Sequence, residues 1–224
     1  MRRDIVTSVI GIIVFTVLLG LVYPLFVTGV SQGVFPGNAN GQQIHINGKL
    51  VGSKIIGQNF GTPVMEKGKV KEVKGAVVTE PDPRYFQSRP SATEGGADNA
   101  AASTFSNKGP NSVKTKEADE ENIKSYLELN KQPTTGTEYD PGLTPAKIPV
   151  DAINTSASGL DPEISKANAW IQAYRIAAVR GMSLAMVDQL IARYTSGRGL
   201  GFSGEQGVNV LELNLALDRM TGAK

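Results

Sequence analysis

Residues 5–30, IVTSVIGIIVFTVLLGLVYPLFVTGV, carry no charged side chain, and this stretch decides how the rest of the chain is organised. An apolar segment of about 20 residues can span the hydrocarbon core of a bilayer, which is about 30 Å thick. Only a helix pairs all of its backbone polar groups within a single segment in lipid. We therefore predict one transmembrane helix within residues 1–30, in contact with hydrocarbon from about Val6 to Val27.

Four residues of this stretch have properties that matter in a membrane. Tyr23 suits the interface, where its ring is half buried and its hydroxyl is wet. Pro24 has no backbone N–H, so we expect it to kink or end the helix. Gly11 and Gly20 permit the close approach of a neighbouring helix, and we expect partner contact at both.

The flanking charges predict the orientation of the helix. Arg2 and Arg3 precede it, and the next lysine or arginine along the chain is Lys49. Positively charged flanks stay in the cytoplasm, so we expect the N-terminus inside and the following domain outside. The alternative is a cleaved signal peptide, but its apolar region would be only about 7–15 residues long.

Composition excludes several kinds of site. The chain has 224 residues, a net charge of +2, no cysteine and one histidine, His45. A charge so close to balance argues against a nucleic-acid binder. The absence of cysteine excludes thiolate chemistry and disulfides. His45 lies in a polar stretch, and we expect an exposed surface histidine there.

Residues 31–48 are rich in Gly and Asn, which predicts an irregular exit from the membrane, and residues 49–224 form the remaining domain. Within its first part, four segments have a recognisable pattern: a strand at 50–56, a hairpin at 67–78, a helix at 114–131 and a Pro- and Gly-rich linker at 132–149.

The last third of the chain carries clear helix signals. Pro162 is expected in the first turn of a helix that Ser165 caps, with Trp170 and Tyr174 on its apolar face and Gly181 at its end. Ser183 is expected to cap the next helix and Asn209 the last one. Strand and helix patterns together predict an α/β or α+β domain after the membrane helix.

No motif in the chain predicts an active site. Residues 199–204, GLGFSG, match a dinucleotide-binding glycine pattern, but the expected helix before them and the lack of a strand favour a plain turn. Asp151, Asp161 and Glu163 could form a carboxylate pair for acid–base catalysis. We favour a structural role for Asp161 and Glu163, at the positive end of a helix dipole. Residues 103–111 could bind an anion through hydroxyl and backbone N–H groups.

Several strings resemble one protein family. They are YFQSRPSA at 85–92 with IGQNF at 56–60 before it, VD at 150–151 with SASGLDP at 156–162, and GLGF at 199–202 running on to VNVLELNLALD at 208–218. Together with the apolar helix, they resemble the C subunit of the Kdp potassium-transporting ATPase. The residues of these strings that we single out are Tyr85, Phe86, Ser88, Arg89, Pro90, Ser91, Asn209, Glu212 and Asn214.

This resemblance implies a non-catalytic, single-pass subunit of the bacterial inner membrane. Its implied partners are a channel-like potassium-binding subunit, a P-type ATPase subunit and a small membrane subunit. The family is thought to stabilise the complex, and a role as a catalytic chaperone that raises ATP affinity has been proposed. No cofactor is implied for the chain itself, and ATP enters only through the complex.

The chain departs from the family pattern at several places. A Ser-Gly-Gly-Ser-Asn stretch of the family reads STFSN at 103–107, and the loss of both glycines argues against close approach to a phosphate. Residues in or beside this loop that could contact a nucleotide are Ser103, Ser106, Asn107 and Gly109. Glu163 stands where the family commonly has His, and residues 62–79 and 114–146 resemble insertions. A membrane-anchored enzyme with a carboxylate site remains the alternative function.

Overall fold

The computed structural model describes residues 1–73, 76–93, 99–104, 107–109, 111–131 and 139–222. The chain divides into two compact units, Met1–Val51 and Gly52–Lys224. The first unit contains the apolar helix and most of a hairpin. The second contains the family strings and the hydrophobic core.

The first unit begins with one helix from Arg2 to Val34, of which α1 is Arg2–Val17 and α2 is Tyr23–Val34. No residue of α1 or α2 is buried against the rest of the chain. Among the described residues, this is the one helix long and apolar enough to cross a membrane. The two parts are joined by a wide π turn at Leu18–Val22, in which the Tyr23 N–H donates to Leu18 O five residues back.

The helix is longer than the sequence predicted. Pro24 does not end it, because proline is tolerated in the first turn of α2, where the π turn has already changed the hydrogen-bond spacing. The expectation of an irregular segment at 31–48 was therefore wrong. Helix α2 continues to Val34, and α3 (Pro36–Ala39) and β1 (Gln43–Ile46) follow.

Short antiparallel hairpins follow the helix. Strand β1 pairs with β2 (Lys49–Ser53) through an Asn47-Gly48 turn whose φ angles, 51° and 76°, are those of a tight hairpin. The hairpin predicted at 67–78 is confirmed as part of a branched ladder. Its strands are β3 (Gly61–Pro63), β4 (Met65–Glu66), β5 (Lys69–Val70), β6 (Glu72–Val73), β7 (Ala76–Val77) and β8 (Thr79–Pro81).

Four helices and one further strand pair build the core of the second unit. They are α4 (Val113–Asn130), β9 (Glu163–Ser165), α5 (Lys166–Arg180), α6 (Leu184–Arg193), β10 (Gly207–Asn209) and α7 (Val210–Thr221). Strands β9 and β10 pair antiparallel, and each runs directly into a helix. Separate helices and small antiparallel sheets make this unit α+β.

The caps of three helices were predicted correctly. Side chains of Ser165, Ser183 and Asn209 accept hydrogen bonds from the first turns of α5, α6 and α7. Gly181 ends α5 with φ 64°. The helical role of Pro162 was wrong: its carbonyl accepts from Val210 N–H, and the chain from Glu163 is extended against β10 before the helix starts.

Two apolar clusters fill the second unit. The larger joins Phe86 to the inner faces of α5, α6 and α7, and the smaller packs Leu143, Ile148 and Ala152 against α4. The described part of the predicted linker, residues 139–149, is thus packed, since Leu143 is buried. Trp170 and Tyr174 were expected to pack but are 47% and 43% exposed, because α5 turns a partly polar face inward.

Candidate functional site

The segment 85–91, YFQSRPS, lies across α5 and α7 and is held by side-chain amides. Phe86 N–H donates to Asn214 Oδ1 and Asn214 Nδ2 donates to Phe86 O, both at 2.9 Å. Gln172 repeats this arrangement on Gln87, at 2.7 and 3.0 Å. The two amides satisfy the backbone groups of a segment whose Phe86 side chain is fully buried.

Arg175 of α5 lies beneath this segment with no exposed surface. Its guanidinium donates to Asn130 Oδ1 at 3.0 Å, Tyr85 O at 2.9 Å and Gln172 Oε1 at 2.9 Å, and also to Pro83 O. All of these acceptors are neutral. Burial lowers the pKa of Arg175 to about 10, so the group is still protonated at neutral pH.

A second branch of the polar network reaches the start of α5. Asn168 Oδ1 accepts from Tyr126 Oη at 2.8 Å and from Gln172 Nε2 at 3.0 Å. Asp151 accepts from Ser165 N–H, Ser165 Oγ and Asn168 Nδ2. Burial raises the pKa of the Tyr126 phenol, which keeps it a neutral donor.

Tyr85 joins the other side of the segment to α5 and α7. Its hydroxyl donates to Asp218 Oδ2 at 3.2 Å, and Arg180 pairs with Asp218 Oδ1 at 2.9 Å. The Arg180 guanidinium lies 4.8 Å from the centre of the Tyr85 ring. Phe60 contacts the same ring at 5.4 Å between centroids.

Beside this network, a groove of about 260 Å³ separates the segment from α4. Ser88, Arg89, Pro90 and Ser91 line one wall. Ser88 Oγ donates to Gln58 O and Ser91 Oγ to Gly159 O. Arg89 Nη1 donates to Asp161 Oδ2 at 2.9 Å, which gives Asp161 an ion pair instead of the predicted helix-dipole role. Glu163 instead accepts from Ser196 Oγ.

The other residues singled out in the sequence are not part of this groove. Asn209 Oδ1 accepts from Glu212 N–H, and Glu212 pairs with Lys54 at 2.6 Å at the start of α7. Gly11 and Gly20 line a shallow apolar groove on the membrane helix. Tyr23 is exposed, and Pro24 follows it at the start of α2.

The predicted nucleotide-contact residues do not form a described cluster. Ser103 Oγ donates to Ser158 O, whereas Asn107 and Gly109 are exposed. Ser106 lies outside the described residues. Across the described part of the chain, no hydrogen bond links Ser103, Asn107 and Gly109.

Sequence patterns alone did not reveal the polar core residues. Asn168, Gln172 and Arg175 recur at i, i+4 and i+7 in α5, a spacing that places them on one face. A polar stripe inside an otherwise alanine-rich helix was the available signal. In the described chain, no group of three or more His, Asp or Glu side chains could hold a metal ion. The arrangement can position a surface and bind through it.

Comparison with known proteins gives a consistent result. The family model described as K+-transporting ATPase, c chain, matches residues 5–219. The potassium-transporting ATPase KdpC subunit of Koribacter versatilis is 44% identical over 97% of this chain and 95% of its own length. Those of Methylococcus capsulatus and Mycobacterium bovis are 43% and 41% identical, covering 95% and 98% of this chain and 96% and 100% of their own lengths. The chain belongs to the KdpC family of potassium-transporting ATPase subunits.

Proposed function

We propose that this chain is a non-catalytic subunit that stabilises an ATP-driven potassium uptake complex. The observation that carries the proposal is the helix from Arg2 to Val34, which is apolar and unburied along its length. Lipid covers part of such a surface, and the groove along Gly11 and Gly20 fits the packing of a neighbouring helix.

The proposed partners are the channel-like potassium-binding subunit, the P-type ATPase subunit and the small membrane subunit. Family membership and the names of the relatives support this assignment. Arg2 and Arg3 before the helix support an N-terminus in the cytoplasm of a bacterium and a domain outside its inner membrane.

This orientation disfavours direct ATP binding by the chain, since ATP is in the cytoplasm. The exposed positions of Asn107 and Gly109 lend the chaperone role no support. The alternative of a carboxylate enzyme is not favoured either. Asp151, Asp161 and Glu163 are each engaged by hydroxyl, amide or guanidinium donors of the fold.

Co-purification tests the proposal. The tagged full chain, co-expressed with the other subunits and extracted in detergent, is expected to recover all three. Gly11→Leu and Gly20→Leu should reduce this recovery several-fold, because both added side chains have free space within the chain itself and any clash must come from a neighbour.

Val14→Phe is the matched control, since Val14 does not line the groove. It should leave recovery unchanged, and all three variants should remain in the membrane fraction. Full potassium-dependent ATPase activity of the complex without this chain would refute the proposal.

A further inference from the structure

The groove beside segment 85–91 continues past Arg89. A second cavity of about 630 Å³ adjoins the first, and both are lined by Arg89 and Asn122. Arg89 therefore lies in the middle of one long groove along α4. Among the described residues that line the 260 Å³ part, none is acidic.

One edge of the Arg89 guanidinium has no acceptor. Nη1 pairs with Asp161, but Nε is buried and no described group accepts from it or from Nη2. Leaving a buried N–H without an acceptor is costly, so such groups usually indicate a missing ligand or a functional role.

Arg84 shows what this edge normally does in the same domain. Its Nε and Nη2 both donate to the carboxylate of Asp82, at 2.6–3.1 Å. The planar edge of a guanidinium matches the two oxygens of a carboxylate, and a bidentate pair of this kind is strong and specific in geometry. In Arg89, Asp161 occupies only the opposite nitrogen, which leaves the favourable edge directed at the groove.

We propose that Arg89 binds the carboxylate of an aspartate or glutamate side chain from a partner subunit laid along this groove. The inference rests on the proposed function and adds the contact point. The length of the groove fits a peptide segment better than a free anion. Pro90, Leu129 and Ala152 line it beside the polar groups and would pack against aliphatic parts of such a segment.

Site-specific photocrosslinking in the intact complex tests this inference. Ser125 lines the groove, is exposed and makes no side-chain hydrogen bond with the described residues, so a photoreactive residue fits there. Irradiation should join the full chain to a partner subunit at a peptide that contains Asp or Glu. The same probe at Lys124, which is 77% exposed and does not line the groove, should give no adduct.

Two variants separate recognition from a structural role. Arg89→Gln should lower the yield of the Ser125 adduct about tenfold, as expected for loss of a charge-assisted bidentate pair. Asp161→Asn breaks the same internal ion pair but keeps the free edge, so the adduct should persist. Reversing the charges of Arg89 and of the mapped acidic residue together should restore the adduct.

The outcomes are distinguishable from those of the co-purification test. Recovery of the partners without an adduct at Ser125 would overturn the groove assignment and leave the proposed function standing. Equal adducts with Arg89→Gln, or an adduct only with a second copy of this chain, would also overturn it. Absence of partners from the purified material would refute both.

Discussion

At the scale of single residues, Arg175 is the most unusual feature of the domain. A charged side chain rarely becomes fully buried without an acidic partner. Here its hydrogen bonds reach α4, α5 and residues 83–85, so one side chain connects three parts of the chain. The group is tolerated because its described hydrogen bonds replace those that water would make.

Replacing Arg175 should destabilise the domain strongly. Arg175→Ala leaves four buried acceptors without a donor and opens a cavity, so we expect a loss of roughly 3 kcal/mol or more in the free energy of unfolding. Arg175→Met, which fills most of the volume, isolates the hydrogen-bond contribution. Urea unfolding of the detergent-solubilised chain measures both losses.

The exposed Arg193 of α6 provides the control for this measurement. Arg193→Ala should change the free energy of unfolding by no more than about 0.5 kcal/mol. An Arg175→Met variant as stable as the wild type would show that the hydrogen bonds at this position do not stabilise the fold.

Asp82 should make stability depend on pH in the acid range. The hydrogen bond from the Arg84 side chain holds the pKa of Asp82 below its ordinary value, although burial opposes this shift. The unfolded chain therefore takes up the proton first. The stabilisation is complete above the unfolded pKa, about 3.9, and is lost as the pH falls through the lower folded pKa.

A pH series of urea unfolding on wild type and Asp82→Asn checks this sign. The wild type should be more stable near neutral pH, and the difference should shrink below about pH 4. Curves that stay parallel through the acid range would contradict the assigned ion pair.

At the scale of elements, α5 depends on Asp151 as much as on its own cap. Ser165 Oγ accepts from Asn168 N–H, and Asp151 in turn accepts from both of these residues. A residue from the preceding loop therefore orients the first turn of the helix. The cap and its support form one unit.

Asp151→Ala should cost about 2 kcal/mol in the free energy of unfolding, because three donors lose their acceptor. Glu128→Ala, at an exposed position of α4, is the control and should have little effect. Thermal unfolding followed by circular dichroism would reveal the difference. Equal stability of the two variants would rule out the supporting role of Asp151.

At the scale of the whole second unit, segment 85–91 should behave as part of the core. Its backbone is bonded to Asn214 and Gln172 in the same way as a strand to its neighbour. Hydrogen exchange of the Phe86 and Gln87 amides should therefore be as slow as that of the central turns of α5 and α7. Early exchange of both amides, at the rate of an exposed loop, would contradict this packing.

Sequence predicted well what depends on neighbouring residues. The caps at Ser165, Ser183 and Asn209 and the end at Gly181 are local chemistry, and all four are confirmed. What depends on distant residues was missed. Arg175 reaches Tyr85 90 positions away, and apolar spacing alone therefore misplaced the buried face of α5.

The candidate site divides in the same way. Arg89 and its neighbours form a string that is recognisable in the amino-acid sequence itself. That one edge of its guanidinium is free, while the same edge of Arg84 is filled, depends on where Asp161 and Asp82 lie in three dimensions.

The wide turn at Leu18–Val22 sets the angular phase of the membrane helix. An α-helix rotates by about 100° per residue, so deleting one residue here and restoring the four-residue spacing would swing the later half of the helix by about that angle. Length and hydropathy would hardly change. A neighbouring helix that contacts both halves would nevertheless lose one of its two contact faces, because the halves would then point in different directions.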